Sequence, residues 1–274
     1  MKIVSWNINS IRLRINLLKK FITQNQPDII CLQETKVEDN LFPIFEIKSF
    51  GYDFIEFIGE KSYNGVAIIS KFPLTKINKI DILEYGHKRH LSATFQSKIG
   101  EIELHNFYVP AGGDIPDIKI NNKFDHKLKF IDWMEKFFNK EINKKIIIVG
   151  DFNIAPLPND VWSHKQLINV VSHTEIEVEK LSKLQKSLDF IDTHRFFVND
   201  NEKLYSWWSY RAMQPLESDR GRRLDHIWIT PNLRDNLLTT KIYRHFRLEN
   251  QPSDHVPIET NFQNLKIIPN PIFK

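Results

Sequence analysis

Asp151 and Asn153 stand two residues apart, directly after the run Ile146-Ile147-Ile148-Val149-Gly150. On extended chain, residues two apart face the same way. If the strand geometry runs on past the glycine, an acid and an amide share one space. The acid can take a proton from water and the amide can hold its geometry. The competing account is an Asp-x-Asn turn whose side chains cap backbone amides, and the stretch taken alone favours that account. Asn7 and Glu34 each follow a short apolar run. Their oxygens are hard ligands of the kind Mg²⁺ takes. Asp254 and His255 pair an acid with an imidazole, which can donate a hydrogen bond or carry charge near neutrality. Tyr108 can be core with its hydroxyl outward, or a donor to phosphate.

These side chains need rigid elements to place them. Lys2 to Asn9 reads as a strand, and Ser10 is the expected N-cap of a helix with Leu13, Leu17, Leu18, Phe21 and Ile22 on one face. Gln26-Pro27 ends that helix, and Asp28 to Gln33 is a second buried strand. A strand–helix–strand unit favours parallel pairing with a right-handed crossover, which puts Asn7 and Glu34 at the same strand ends. Ile146 to Val149 is a strand buried on both faces, and Gly150 is expected to turn the chain sharply. Between Asp53 and Phe107 the strands are short and alternating, as in antiparallel sheet. Lys127 to Phe138 reads as an amphipathic helix. Thr174 and Glu177 have capping-box spacing ahead of Leu181, Leu184 and Leu188. Leu224 to Ile229 is a further strand, and Ser253-Asp254-His255 opens the last one.

The chain has 274 residues, 41% of them hydrophobic, and a formal net charge of +4. A chain of this size buries about 75% of its unfolded surface. Without linker or repeat it reads as one domain, 1–262, with a C-terminal extension over 263–274. The single cysteine, Cys31, excludes an internal disulfide and fits a reducing cytoplasm. The start of the chain carries no signal-peptide pattern, and no apolar run reaches membrane-spanning length. Mild basicity suits a phosphate-bearing partner. Lys88-Arg89 is either a phosphate contact or a solvated edge of a strand. Trp207, Trp208 and Tyr210 interleave with Arg211, and Arg220, Arg222 and Arg223 follow. That composition suits a nucleic-acid surface and equally a core strand beside a solvated loop.

Five motifs in order, each at an expected strand end, carry a resemblance. Trp6-Asn7-Ile8-Asn9, Leu32-Gln33-Glu34-Thr35-Lys36, Gly150-Asp151-Phe152-Asn153-Ile154-Ala155-Pro156, Arg223-Leu224-Asp225 and Ser253-Asp254-His255 resemble the exodeoxyribonuclease III branch of the endonuclease/exonuclease/phosphatase superfamily. The resemblance runs from residue 1 to about residue 262 and implies an α/β fold of DNase I-like type: a four-layer sandwich of two packed, mostly antiparallel sheets flanked by helices. It implies a DNA repair nuclease that cuts 5′ to abasic sites and works on 3′ ends of duplex DNA, as a cytoplasmic monomer away from membranes. Mg²⁺, with Mn²⁺ as a substitute, would be held by Glu34, with Asn7 as ligand or supporting group and Asp254 nearby. Asp151 would activate water with Asn153 fixing the geometry, although His255 stays open as the base. Asp225 would pair with His255, and Tyr108 would touch the phosphate or the departing oxygen. Trp207 and Leu224 would wall an abasic-sugar pocket, with Arg211, Arg222, Arg223, Lys88 and Arg89 on DNA. Two positions depart from relatives: Ala111 replaces a phosphate-contacting amide, and Arg222 stands where some have tryptophan. The alternatives are a superfamily phosphatase acting on a non-DNA phosphate, and a catalytically silent DNA-binding protein. A complete set of acids, amides and imidazole argues against silence.

Overall fold

The computed structural model describes residues 1–141 and 143–265. The chain runs β1 (Lys2–Asn7), α1 (Ile15–Asn25), β2 (Ile29–Gln33), α2 (Ile44–Ser49), β3 (Phe54–Ile58), β4 (Val66–Ser70), β5 (Thr75–Asn78), β6 (His90–Ser97), β7 (Gly100–Tyr108), α3 (Asn122–Phe138) and β8 (Ile146–Asp151). It continues through α4 (His164–Leu167), α5 (Glu175–Ser187), β9 (Ile191–Asp192), α6 (Thr193–Phe197), β10 (Trp207–Trp208), α7 (Pro215–Ser218), β11 (Gly221–Arg222), β12 (Asp225–Ile229), β13 (Leu237–Ile242) and β14 (Ile258–Phe262).

Two six-stranded sheets form, in the orders β13-β14-β1-β2-β4-β3 and β5-β6-β7-β8-β12-β9. Each has one parallel pair at its centre and is antiparallel elsewhere. The expected β1–β2 pairing is parallel and brings Asn7 opposite Gln33. Its counterpart is β7–β8, which brings Tyr108 opposite Asp151. Alternation of side chains across the strands builds four layers. Ile3, Ile29, Val66 and Ile68 meet Leu91, Leu104, Val149 and Ile227 between the sheets. Val4, Trp6 and Ile30 face Leu18, Phe21 and Ile22 on one outer side. Ile146 and Ile148 face Phe130, Met134 and Leu184 on the other. On its other edge β1 pairs antiparallel with β14, and the Met1 ammonium donates to the Phe262 carbonyl at 2.6 Å. Leu265 is still buried, beyond the boundary expected at 262, while residues 266–274 of the expected extension lie outside the described residues. No helix among the described residues is long and apolar enough to cross a membrane.

Three local expectations are corrected. Ser10 does not cap α1: it sits at φ 84, its N–H donates to the Glu34 carbonyl at 2.7 Å, and the helix begins only at Ile15. Leu13 therefore precedes the helix and is exposed. Gly150 does not turn the chain, because β8 continues to Asp151. The glycine serves close approach instead. At φ +146, a Cβ on it would fall 1.9 Å from the Phe107 carbonyl oxygen. Backbone cannot yield as a flexible side chain can. Gly150→Ala should thus cost more than the ~3 kcal/mol that bounds most single substitutions, read from the denaturation midpoint. A wild-type midpoint would show that the β7–β8 contact is not tight.

Candidate active site

The sheets converge on Asn7. Its amide nitrogen donates to Glu34 Oε1 at 2.8 Å and to Asp151 Oδ2 at 2.9 Å, and lies 3.5 Å from His255 Nε2. Its oxygen accepts the Asn9 N–H at 3.1 Å, which fixes the orientation of the amide. In this orientation the amide nitrogen faces the two carboxylates and the oxygen faces the Asn9 N–H.

Asp151 and Asn153 do share one space, but through a turn and not through extended chain. Asp151 Oδ1 accepts the Asn153 N–H at 2.9 Å, closing a turn with Asn153 at φ 53. The Asn153 amide also donates to Asp151 Oδ2 at 3.2 Å and to the Val109 carbonyl at 2.9 Å. Left-handed backbone suits Asn, so one turn both caps the strand and turns the amide onto the acid.

Asp225 begins β12 opposite Asp151. Its Oδ2 lies 2.8 Å from His255 Nδ1 and accepts Ser206 Oγ at 2.6 Å. His255 Nε2 stands 3.5 Å from Asp151 Oδ2. Burial alone would lower the His255 pKa, but the Asp225 and Asp151 carboxylates raise it to about 10. Burial raises the Asp151 pKa to about 7, with His255 opposing the rise and Asp225 adding to it. The pair is therefore an imidazolium beside a carboxylate that titrates near neutrality. The Tyr108 hydroxyl is held neutral, its pKa raised by burial and by Glu34 and Asp151.

The residues fit a hard cation. Burial opposes ionisation of Glu34, yet Lys36 and the Asn7 amide hold its pKa below the ordinary value. Lys36 Nζ lies 2.6 Å from Glu34 Oε2 and donates to Asn9 Oδ1 at 2.7 Å. Asn9 Nδ2 in turn donates to Asp254 Oδ1 at 3.0 Å, and Trp207 Nε1 donates to Asp254 Oδ2 at 3.0 Å. Atoms of Asp151, Asp225 and His255 also lie within 4.8 Å of one another, and of these three the two carboxylates, not the imidazolium, have lone pairs to offer a cation. Asp225 Oδ1 is buried without a partner. Four carboxylates, those of Glu34, Asp151, Asp225 and Asp254, gather here, with Lys36 and His255 in ion-pair reach of three of them.

Beside the acids lies an apolar wall. Leu224 is buried with Ala155, Val161 and Leu167, and Trp207 packs against them. The Arg222 guanidinium lies 5.4 Å from the Trp207 ring centroid and donates to the Val171 carbonyl and to Ser172 Oγ. Arg89 covers the Tyr108 ring at 4.6 Å, Lys88 is half-buried, and Arg211 is exposed. Arg223 is a correction. It is fully buried, held by both oxygens of Asp160 at 2.7 and 2.9 Å and by Asp192 at 2.6 Å, so it cannot reach DNA. Sequence reasoning missed Asn9 and Lys36, which join Glu34 to Asp254, and Ser206, which holds Asp225. The available signal was that Asn9 and Lys36 close two of the five motifs, each directly after a strand.

Residues 4–255 match the endonuclease/exonuclease/phosphatase family. Exodeoxyribonuclease III of Haemophilus influenzae is 30% identical over 280 residues, spanning 96% of this chain and 100% of that protein. The chain belongs to this family and to its exodeoxyribonuclease III branch. The enzyme is thus a phosphodiester hydrolase. An AP endonuclease from Archaeoglobus fulgidus shares its fold with a TM-score of 0.87 at 32% identity, over 96% of this chain and 99% of that one. A 3′ phosphatase from Neisseria, solved bound to a product DNA hairpin, gives 0.87 at 26% identity over the same shares. The DNase I-like sandwich expected from the motifs is the fold of this nuclease.

The charge state of His255 is testable in metal-free protein. Its native pKa of about 10 lies above the ordinary 6.5. The stabilisation it gives is therefore complete below pH 6.5 and is lost as pH rises towards 10. Imidazole NMR should find His255 protonated at pH 8, and Asp225→Asn should move its titration down towards the ordinary value. A neutral imidazole at pH 8 in the wild-type enzyme would contradict this electrostatic arrangement.

Proposed function

We propose that this enzyme is a Mg²⁺-dependent DNA repair nuclease. It cleaves duplex DNA 5′ to abasic sites, leaving a 3′-hydroxyl, and removes nucleotides and blocking phosphates from 3′ ends, as a cytoplasmic monomer. The observation that carries the reading is the buried Asp151 carboxylate, its pKa near neutrality, beside the Asp225-paired His255 imidazolium. The names of the relatives, an exodeoxyribonuclease III, an AP endonuclease and a 3′ phosphatase, support the range of substrates.

A phosphodiester resists water because its negative charge repels nucleophiles. Hydrolysis needs that charge neutralised, a water activated and the departing oxygen stabilised. Glu34 is the residue to hold Mg²⁺, with Asp254 near it and Asn7 orienting Glu34. The bound ion would supply charge neutralisation at the phosphate. Asp151 takes the proton from the attacking water at Oδ2, with the Asn7 and Asn153 amides fixing that oxygen. A base with pKa near the working pH suits this transfer. His255, already charged, is a poor base at neutral pH. Its Nε2–H, 3.5 Å from Asp151 and so only loosely engaged, is free to donate to a phosphate oxygen. The neutral Tyr108 hydroxyl donates to the phosphate or to the departing oxygen. Arg211, Lys88, Arg89 and the open side of Arg222 hold flanking phosphates.

The direct test is a labelled duplex with one abasic site, incubated with Mg²⁺ or with chelator, and its products sized. Cleavage only with the metal, 5′ to the lesion, is expected; an intact strand in both would overturn the reading. In the same assay Asp151→Asn should slow single-turnover cleavage by roughly 10²–10⁴-fold while DNA affinity survives. A near-wild-type rate would remove Asp151 as the base.

Discrimination of the lesion follows from the apolar wall. An abasic sugar leaves the helix cheaply because no base must be unstacked. A tight pocket between Trp207 and Leu224 would admit it and refuse an intact nucleotide. Trp207→Ala should reduce abasic-site cleavage relative to removal of a 3′-terminal phosphate, with little change in Tm. Were Trp207 mere core, truncation would cost about 3–5 kcal/mol and both activities would fall together.

A further inference from the structure

A lysine on a helix is ordinarily solvated, but Lys127 of α3 is fully buried. Each proton of its ammonium has an acceptor: Glu177 Oε1 at 2.5 Å, the Asn153 carbonyl at 2.7 Å and the Ala111 carbonyl at 3.3 Å. Glu177 is equally buried. Its carboxylate also accepts the Ser172 N–H at 3.0 and 2.9 Å, the Thr174 N–H at 3.1 Å and the Thr174 hydroxyl at 2.6 Å. The lysine is thus fixed from below by the first turn of α5, and its remaining two protons reach up to the site.

The two carbonyls it holds belong to different segments. Asn153 closes the Asp151 turn, and its N–H and side chain already lie on Asp151. Ala111 ends the stretch that follows Tyr108. The ammonium therefore clamps the underside of the turn whose upper side fixes the acid, and joins it to the strand end that carries the tyrosine. A buried ion pair adds little stability over well-packed apolar side chains of the same volume. What apolar side chains cannot supply is directed hydrogen bonding to two carbonyls at once.

We propose that Lys127 is a positioning residue, whose ammonium locks the Asn153 and Ala111 carbonyls together and so sets Asp151 and Tyr108 against the scissile phosphate. The inference rests on the role given to Asp151 above. Lys127 does not touch DNA, so its loss should act on the chemical step and leave binding alone.

Lys127→Met alone would leave Glu177 buried and unpaired, so it is combined with Glu177→Gln, whose amide oxygen can still accept from Ser172 and Thr174. The double variant should keep its Tm close to wild type and lose about 10²-fold in kcat at unchanged KM, the scale of a catalytic group misplaced by about 1 Å. Glu177→Gln alone leaves the ammonium without its counter-ion and should lower Tm, yet a lysine still donating to both carbonyls should hold kcat well above that of the double variant. A folded double variant with wild-type kcat overturns the proposal. If the double variant does not fold, Lys127→Arg decides. It keeps the ion pair but substitutes a longer, planar donor, so kcat should fall while KM and Tm hold, and wild-type kcat again overturns it. Asp151→Asn, assayed in parallel, separates the two ideas. Full activity there removes the base assignment, whereas a slow Asp151→Asn beside a fast Lys127 variant removes only the positioning role.

Discussion

A carboxylate taken wholly out of water is the constraint around which this molecule is arranged. Desolvating an ion costs several kcal/mol even after the protein relaxes, and Asp151 is 1% exposed. Its two oxygens are met by the Asn7 and Asn153 amides and the Asn153 N–H. The imidazolium stands at 3.5 Å, close enough to restrain the rise in pKa and too far to abolish it. A tighter ion pair would have made Asp151 an ordinary weak base. The like-charged Asp225 acts in the other sense, raising the Asp151 pKa while it holds the imidazole charged. The same few groups therefore tune the Asp151 carboxylate and create the cation beside it.

Architecture makes that meeting possible. The single parallel pair at the centre of each sheet has its carboxyl ends at the site: Asn7 and Glu34 from one sheet, Tyr108 and Asp151 from the other. Antiparallel neighbours would send alternate strand ends to opposite sides of the molecule. β12 complements the arrangement because it runs antiparallel to β8 and so starts where β8 ends, setting Asp225 opposite Asp151. The hydrogen bond from Asn7 to Asp151 crosses from one sheet to the other, so the packing of the two sheets fixes its length.

Much of this was legible in the sequence, for identifiable reasons. The Ile146–Val149 run reads as a buried strand, and the strand–helix–strand pattern favours the parallel pairing that puts Asn7 and Glu34 at the same strand ends. The capping box at Thr174 and Glu177 formed as its spacing predicts. What could not be read depends on partners distant in sequence. Arg223 looked like part of a basic surface cluster. Only Asp160 and Asp192, brought in by other elements, make it a buried tie. Lys127 carried no sign of its burial, since a lysine in an amphipathic helix is taken as solvated. Ser10 misled because its backbone follows the exit of β2, a contact that a local cap preference does not register.

The placement of β1 also governs when this enzyme comes into being. β1 is an interior strand, lying between β2 and β14, and the Trp6 indole donates to the His255 carbonyl at 3.1 Å while the Ser253 hydroxyl donates to that of Asn7 at 2.7 Å. During vectorial synthesis β1 and β2 can associate early, but one edge of β1 stays unpaired until β14 emerges. Such long-range closure is slow to form. Asp254 and His255 arrive in the same late stretch. A nascent chain halted anywhere before them holds Asn7, Glu34 and Asp151 without the imidazole, so this cluster is assembled only after residue 255 has emerged.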